Sequence, residues 1–235
     1  MVKVASGDFA PWLGVFETLR VINGVPLFVA EHRVELARAM EVLGLKSEFD
    51  FEQARAGLPP LSGRWRWIVT QEETRTLFSE EETVSAGPLA LSVSPVRVGS
   101  CNWDACFKTV SYLSHAQAGK TAKTPEVVLR NELGHVASAS RGNIFWRRGD
   151  HLFTPAHEAG CRRGVVRGFV CQRQKVEFGH YPLSDLLEAD EIFLTNSMKG
   201  IVSVNEMEGR SLEVFPSADQ LRKAYAEAVA AQIKG

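Results

Sequence analysis

Lys108 stands in the segment CFKTVSYL, with Phe107, Val110 and Leu113 around it and β-branched neighbours that favour extended backbone. A lysine in apolar surroundings gives up its proton more readily than one in water, and the free amine is a nucleophile that can form a Schiff base with a carbonyl. The competing reading is that its stem lies on apolar surface while the ammonium reaches solvent. Lys120 and Lys123, in AGKTAKTP, fit that solvated reading better. Two further segments offer anion chemistry. GCRRGVVRG sets Gly160, Gly164 and Gly168 among basic residues where a loop enters a helix. Free N–H groups at a helix start favour an anion such as phosphate, and a plain tight turn is the alternative. LTNSMKG (Leu194–Gly200) gathers two hydroxyls, an amide and an amine behind an apolar run. It can complete a phosphate cradle or make an ordinary surface turn.

Other chemistries are absent from the sequence. It contains no G-x-x-x-x-G-K-[ST], G-x-S-x-G, H-E-x-x-H or G-x-G-x-x-G. Cys101, Cys106, Cys161 and Cys171 are irregularly spaced with no C-x-x-C pair, so reduced thiols are expected and no metal site.

The elements that must position these residues follow from periodicity. GVFETLRVINGVPLFV predicts strands Val15–Val21 and Pro26–Val29 around an Asn23-Gly24 turn, and Glu31–Leu43 predicts a helix closed by Gly44. A second helix is expected over Phe51–Ala56. RWRWIVT (Arg64–Thr70) and LALSV (Leu89–Val93) alternate as half-buried strands, with SEEET between them read as a solvated turn. SPVRVGSCN loses periodicity and gathers turn formers. The expected organisation is therefore a small α/β domain over 1–95, a linker at about 96–102 and a larger α/β domain over 103–235. In the latter, Glu126–Ser140 and NIFWRRGDHLFTP predict strand pairs turning at Asn131–Gly134 and Gly149-Asp150. A helix is expected from Gly164, a short one at LSDLLEA, a strand at Glu191–Thr195, and a last helix opened by a Ser217/Gln220 capping box. Strands and helices mix without strict alternation, which argues for mixed α+β and against a Rossmann or TIM architecture.

Over 235 residues the chain can bury a real core, and 45% hydrophobic residues with a formal net charge of −1 describe an ordinary globular protein. Charge favours neither nucleic acid nor an anionic membrane as partner. The opening MVKVASGDFAPWLGVFE lacks the apolar run of a signal peptide, and no stretch is long enough to span a bilayer, so a cytoplasmic protein is expected.

In order along the chain, GVFETLRVINGVP, KTVSYL, HVASASRGNIFWRRGDHLFTP, GVVR and LEADEIFLTNSMKGIVSV resemble the opening hairpin, lysine segment, central signature, phosphate motif and closing motif of the pyridoxal 5′-phosphate (PLP)-dependent class IV aminotransferases. That group includes D-amino-acid and branched-chain aminotransferases and aminodeoxychorismate lyases. The resemblance implies the two-domain fold of fold type IV PLP enzymes, with the site in the cleft, PLP as cofactor, an amino-acid-like substrate and a homodimer. It makes Lys108 the Schiff-base lysine and proton shuttle. Gly164, Val165 and Val166 would offer the phosphate backbone amides, with Thr195, Asn196 and Ser197 nearby. Thr18, in FETLR, matches a threonine of the lyase branch, and Arg66 or Arg64 would face a substrate carboxylate.

Two positions depart from the pattern. Ser138 stands where the family usually has a Glu that keeps the pyridine nitrogen protonated, so the ring would draw electrons less well. Glu35 stands where an Arg usually clamps the phosphate, with Arg38 one turn away and Arg33 close by. The short length and the runs NIFWRRG and ADEIFLTNS look most like the aminodeoxychorismate lyase branch, which releases 4-aminobenzoate and pyruvate. An amino-acid aminotransferase is the first alternative. A retained fold that binds PLP weakly, or serves as a non-catalytic binding protein, is the second.

Overall fold

Alternation of apolar and polar residues builds the first sheet. The computed structural model describes residues 13–81 and 87–234, which divide into two units: 13–81 with Phe107–Tyr112, and 87–106 with 113–234. In the first unit, β1 (Gly14–Ile22), β2 (Val25–Pro26), β3 (Gly63–Thr70) and β4 (Thr74–Glu80) form an antiparallel sheet in the order β2-β1-β3-β4. Asn23 and Gly24 turn the β1–β2 hairpin with φ of 50° and 79°, the left-handed pair such a two-residue turn needs. Along β1 the pleat sends Val15, Leu19 and Val21 inward, and along β3 it sends Trp65, Trp67 and Val69 inward.

Helix α1 (Val29–Leu43) buries His32, Leu36, Ala39 and Leu43, a 3–4 spacing that puts them on one face. It starts two residues before the expected Glu31, and β2 ends at Pro26 where a strand to Val29 was expected. Phe28 adopts φ 54° and turns the chain from strand into helix, which leaves no room for a longer β2. α2 (Phe51–Ala56) is capped by Asp50, whose side chain accepts from the Gln53 N–H at 2.9 Å. β4 takes Ser79 and Glu80 from the stretch read as a solvated turn. It is an edge strand exposed along both faces, so it carries no alternation to read.

The second unit holds a curled nine-stranded sheet in the order β10-β9-β8-β11-β12-β5-β6-β7, with a short β13 beside β12. Its strands are β5 (Leu89–Val98), β6 (Glu126–Asn131), β7 (Val136–Ala139), β8 (Asn143–Arg148), β9 (His151–Pro155), β10 (Val176–Gly179), β11 (Glu191–Asn196), β12 (Gly200–Met207) and β13 (Arg210–Ser211). β12, β5 and β6 run parallel to one another, as do β9 and β10, and the remaining pairs are antiparallel. β5 continues through Ser94–Val98, where the sequence loses periodicity. Pro95 has no N–H to give, so the ladder to β6 shifts between Val93 and Arg97 and then resumes.

Helices α3 (Trp103–Cys106), α4 (Leu113–Thr121), α5 (Val165–Cys171), α6 (Leu183–Leu187) and α7 (Pro216–Lys234) complete the unit. The core gathers Leu89, Leu91, Val128, Ile144, Trp146, Ile192, Leu194 and Val204. α7 begins at Pro216, so Ser217 lies inside the helix and the expected capping box does not form. Instead the Glu191 carboxylate, fully buried at the start of β11, accepts from the N–H groups of Ser217 (3.1 Å) and Ala218 (2.7 Å). Among the described residues no helix is long and apolar enough to cross a membrane.

Candidate active site

Lys108 belongs to the first unit through its backbone. The Phe16 N–H donates to the Lys108 carbonyl (2.8 Å), the Val110 N–H donates to the Gly14 carbonyl (2.9 Å), and Val15 bridges Thr109. The segment therefore extends the first sheet beside β1, which fits the strand entrance expected of it. Lys108 Nζ lies 3.6 Å from Glu17 Oε2 and 5.8 Å from the centre of the Phe16 ring. On the same carboxylate oxygen, the buried His32 donates from Nδ1 at 2.7 Å, since an ionised carboxylate only accepts.

The other expected residues of this unit occupy the strands and helix around that pair. Thr18 pairs with Arg66 across β1 and β3, and its buried Oγ1 has no hydrogen-bond partner. The Arg66 guanidinium lies 5.0 Å from the Phe16 ring centre with Nε unpartnered, and burial together with Arg64 lowers its pKa. Arg64 is engaged by Glu81 at 2.6 Å. Arg38 pairs with Glu35 at 3.3 Å and lies 5.1 Å from the Phe107 ring centre, while Arg33 stacks on Phe51 at 4.3 Å.

A separate cluster forms in the second unit. Gly164 is the residue before α5, so the N–H groups of Val165 and Val166 fall in the first turn, where helix geometry supplies no acceptor. A Cβ on Gly164 would stand 2.2 Å from Asn143 Oδ1, so only glycine lets the helix start approach β8 this closely. Asn143 in turn donates to the Arg162 carbonyl at 2.8 Å. Beside β8, Thr195 pairs with Asn143 across the ladder. Its Oγ1 is buried and has no hydrogen-bond partner. Asn196 is used by its own turn, its Oδ1 accepting from the Met198 and Lys199 N–H groups at 3.0 and 2.8 Å. Ser197 opens that turn half-buried.

Ser138, buried on β7, has its Oγ 3.4 Å from His115 Nε2 on α4. Burial, reinforced by the Arg162 charge, pushes the His115 pKa down to about 3, so the imidazole is neutral at physiological pH. Ser138 thus faces a neutral ring.

These residues lie within a wider match. Residues 14–207 match the family described as amino-transferase class IV. The chain belongs to that family. An aminodeoxychorismate lyase of Bacillus subtilis (strain 168) is 27% identical over 228 residues, covering 83% of this chain and 78% of that protein. Among solved structures, an aminotransferase from Brucella abortus bound to PLP superposes with a TM-score of 0.79 at 20% identity, covering 97% of this chain and 92% of that one. The branched-chain amino acid aminotransferase of Escherichia coli gives a TM-score of 0.78 at 17% identity, covering 96% and 88%. At such identities the two structures establish the fold alone, mixed α+β of the fold type IV kind.

Three polar residues of this class IV chain escaped the sequence reading: Glu17, His32 and His115. Glu17 had a signal, since it is the one charged residue in the inward row Val15, Glu17, Leu19, Val21 of an alternating strand. His32 and His115 stand on helices among polar neighbours and are marked by nothing local.

Proposed function

We propose that this class IV chain is a PLP-dependent enzyme of the aminodeoxychorismate lyase kind, releasing 4-aminobenzoate and pyruvate, with Lys108 as the residue that bonds the cofactor. The observation that carries the reading is the Lys108 amine held beside Glu17 on the first sheet, in a chain whose similarity to a lyase extends over most of both sequences. An amino-acid aminotransferase is the second reading, in keeping with the family's description as amino-transferase class IV.

The side chains present fit such a cofactor. The buried Thr195 Oγ1 is a donor with no internal partner, and first-turn N–H groups lie behind Gly164. Together they supply neutral donors of the kind a phosphate accepts. On this reading Gly164, Val165, Val166, Thr195, Asn196 and Ser197 hold the phosphate, with Asn196 shaping the turn that presents its neighbours. Arg38 would lend positive charge, shared with its partner Glu35. When bound, PLP would supply an electron sink for a carbanion at the substrate α-carbon.

The protein's own residues would do the rest. Lys108 would carry a proton to and from the reacting carbon, and Thr18 would offer its unpartnered hydroxyl to the leaving portion. Arg66, unpartnered at Nε, is the better candidate than Arg64 for a substrate carboxylate, because Arg64 is already committed to Glu81. Ser138 would meet the pyridine nitrogen without a charge, which favours elimination over transamination. A cytoplasmic homodimer belongs to the same reading, its support being the family resemblance.

Borohydride reduction of the protein with added PLP, followed by peptide mapping, tests the assignment. A pyridoxyl group on Lys108 is expected. A label on Lys120 or Lys123, or no label, would overturn it.

A further inference from the structure

The inward row of β1 is apolar except at Glu17. Val15, Leu19 and Val21 are each no more than 1% exposed, and the Glu17 carboxylate is only 13% exposed. A carboxylate in such a row is costly unless paired, and this one is paired twice through one oxygen: to His32, itself 2% exposed, and to Lys108. His32 fixes the carboxylate from α1, with its ring edge-on to Trp67 at 6.4 Å. Two cations of this unit lie over neighbouring rings: Arg66 from β3, over the Phe16 ring that Lys108 also approaches, and Arg38 from α1, over Phe107. As positive charges they favour the neutral amine, whereas Glu17 favours the ammonium.

We infer that Glu17, held by His32, is the proton acceptor that readies Lys108 for bonding to an aldehyde. This rests on the reading of Lys108 as the residue that bonds the cofactor. The step balances within the named groups. One proton passes from the Lys108 ammonium to the Glu17 carboxylate, leaving an amine and a carboxylic acid. The amine nitrogen bonds to the aldehyde carbon, the carbonyl electron pair goes to oxygen, and that oxygen leaves as water with the two remaining amine protons. A C=N bond remains. The 3.6 Å separation is longer than a hydrogen bond, as proton-transfer pairs often are before the reacting partner binds.

Two measurements test this, the first without cofactor. Reductive methylation with ¹³C-formaldehyde and NMR titration reads the midpoint of Lys108 beside those of Lys120 and Lys123. Glu17→Gln, which keeps the shape and removes the charge, is expected to lower the Lys108 midpoint by about 1–3 pH units while the other two stay in place. Glu17→Asp is expected to recover part of that shift. In the second measurement, the rate of PLP attachment, trapped by borohydride at a pH below the Lys108 midpoints of both proteins and divided by the fraction of Lys108 present as free amine, is expected to fall about 100-fold in Glu17→Gln.

An unmoved midpoint would overturn the inference, and so would a moved midpoint with an unchanged attachment rate. A moved midpoint in a protein whose wild type never attaches PLP would support the Glu17–Lys108 coupling and reject the cofactor reading, so the two failures are distinguishable.

Discussion

Acid should destabilise this protein through one histidine. His115 is buried on α4 against Ser138, and burial beside Arg162 holds its pKa at about 3, against about 6.5 in an unfolded chain. Between those values the unfolded chain binds a proton that the folded chain refuses, so stability falls as pH falls. The full contribution is present above pH 6.5 and is lost progressively toward pH 3. The slope is about 1.4 kcal/mol for each pH unit, which gives a loss of about 3 kcal/mol at pH 4.5 relative to neutral pH.

Carboxylates titrate in the same range, so the assay compares urea unfolding of wild type and His115→Phe at pH 7.5, 6.0 and 4.5. His115→Phe removes the titrating group and keeps a ring of similar breadth. The difference in stability between the two proteins is expected to shift in favour of the variant by about 3 kcal/mol from pH 7.5 to 4.5. Parallel curves, or a shift the other way, would refute a buried neutral imidazole.

Glu191→Ala is expected to cost about 3–5 kcal/mol in thermal or urea unfolding, because it strands Arg147, whose Nε lies 3.2 Å from the carboxylate, together with the first N–H groups of α7. Loss of less than about 1 kcal/mol would mean that water caps that helix. Thr195→Val removes a hydroxyl with no internal partner, so stability should hold within about 0.5 kcal/mol while PLP affinity, read by absorbance titration, drops about tenfold or more. Unchanged affinity would put the phosphate elsewhere. Ser138→Glu is expected to raise the share of transamination over elimination, followed as conversion of PLP to pyridoxamine phosphate by amino donors in a single turnover. Wild type that converts PLP as readily as the variant would sink that expectation.

The parts of the fold legible in the sequence are those where burial differs between faces. β3 alternates strictly between buried tryptophans and half-buried arginines, and its period is plain in GRWRWIVT. β4 pairs along nearly all of β3, yet most of its residues are exposed, so nothing in TRTLFSE distinguishes a strand from a loop. α4 buries only His115 and Ala118 over Leu113–Thr121, too little apolar surface to mark a helical face. The start of α7 was misread for a different reason. Ser217 and Gln220 have capping-box spacing, but Glu191, distant in sequence, supplies the acceptor, and a local motif cannot compete with a fully buried carboxylate aimed at the same N–H groups.

The sequence nominates candidate residues one by one but does not show which of them become partners. Lys108 is marked by its apolar flanks, but its partner Glu17 comes from the first strand, which the Phe16–Lys108 and Gly14–Val110 backbone bonds bring beside it, and His32 comes from the helix after that strand. Ser138 shows the same dependence. Read alone, it is an uncharged residue where the family resemblance leads to the expectation of a carboxylate. Beside His115 it is half of a neutral pair, and restoring a carboxylate would give the imidazole an acceptor and an opposite charge that offset its burial. Ser138→Glu therefore changes two protonation states together, one at residue 138 and one at His115. Its effect on reaction type is attributable to the cofactor's nitrogen only if Ser138→Glu in a His115→Asn background gives the same gain in transamination. If the gain vanishes there, the new carboxylate acts by charging His115, and the departure at 138 is a departure of the pair.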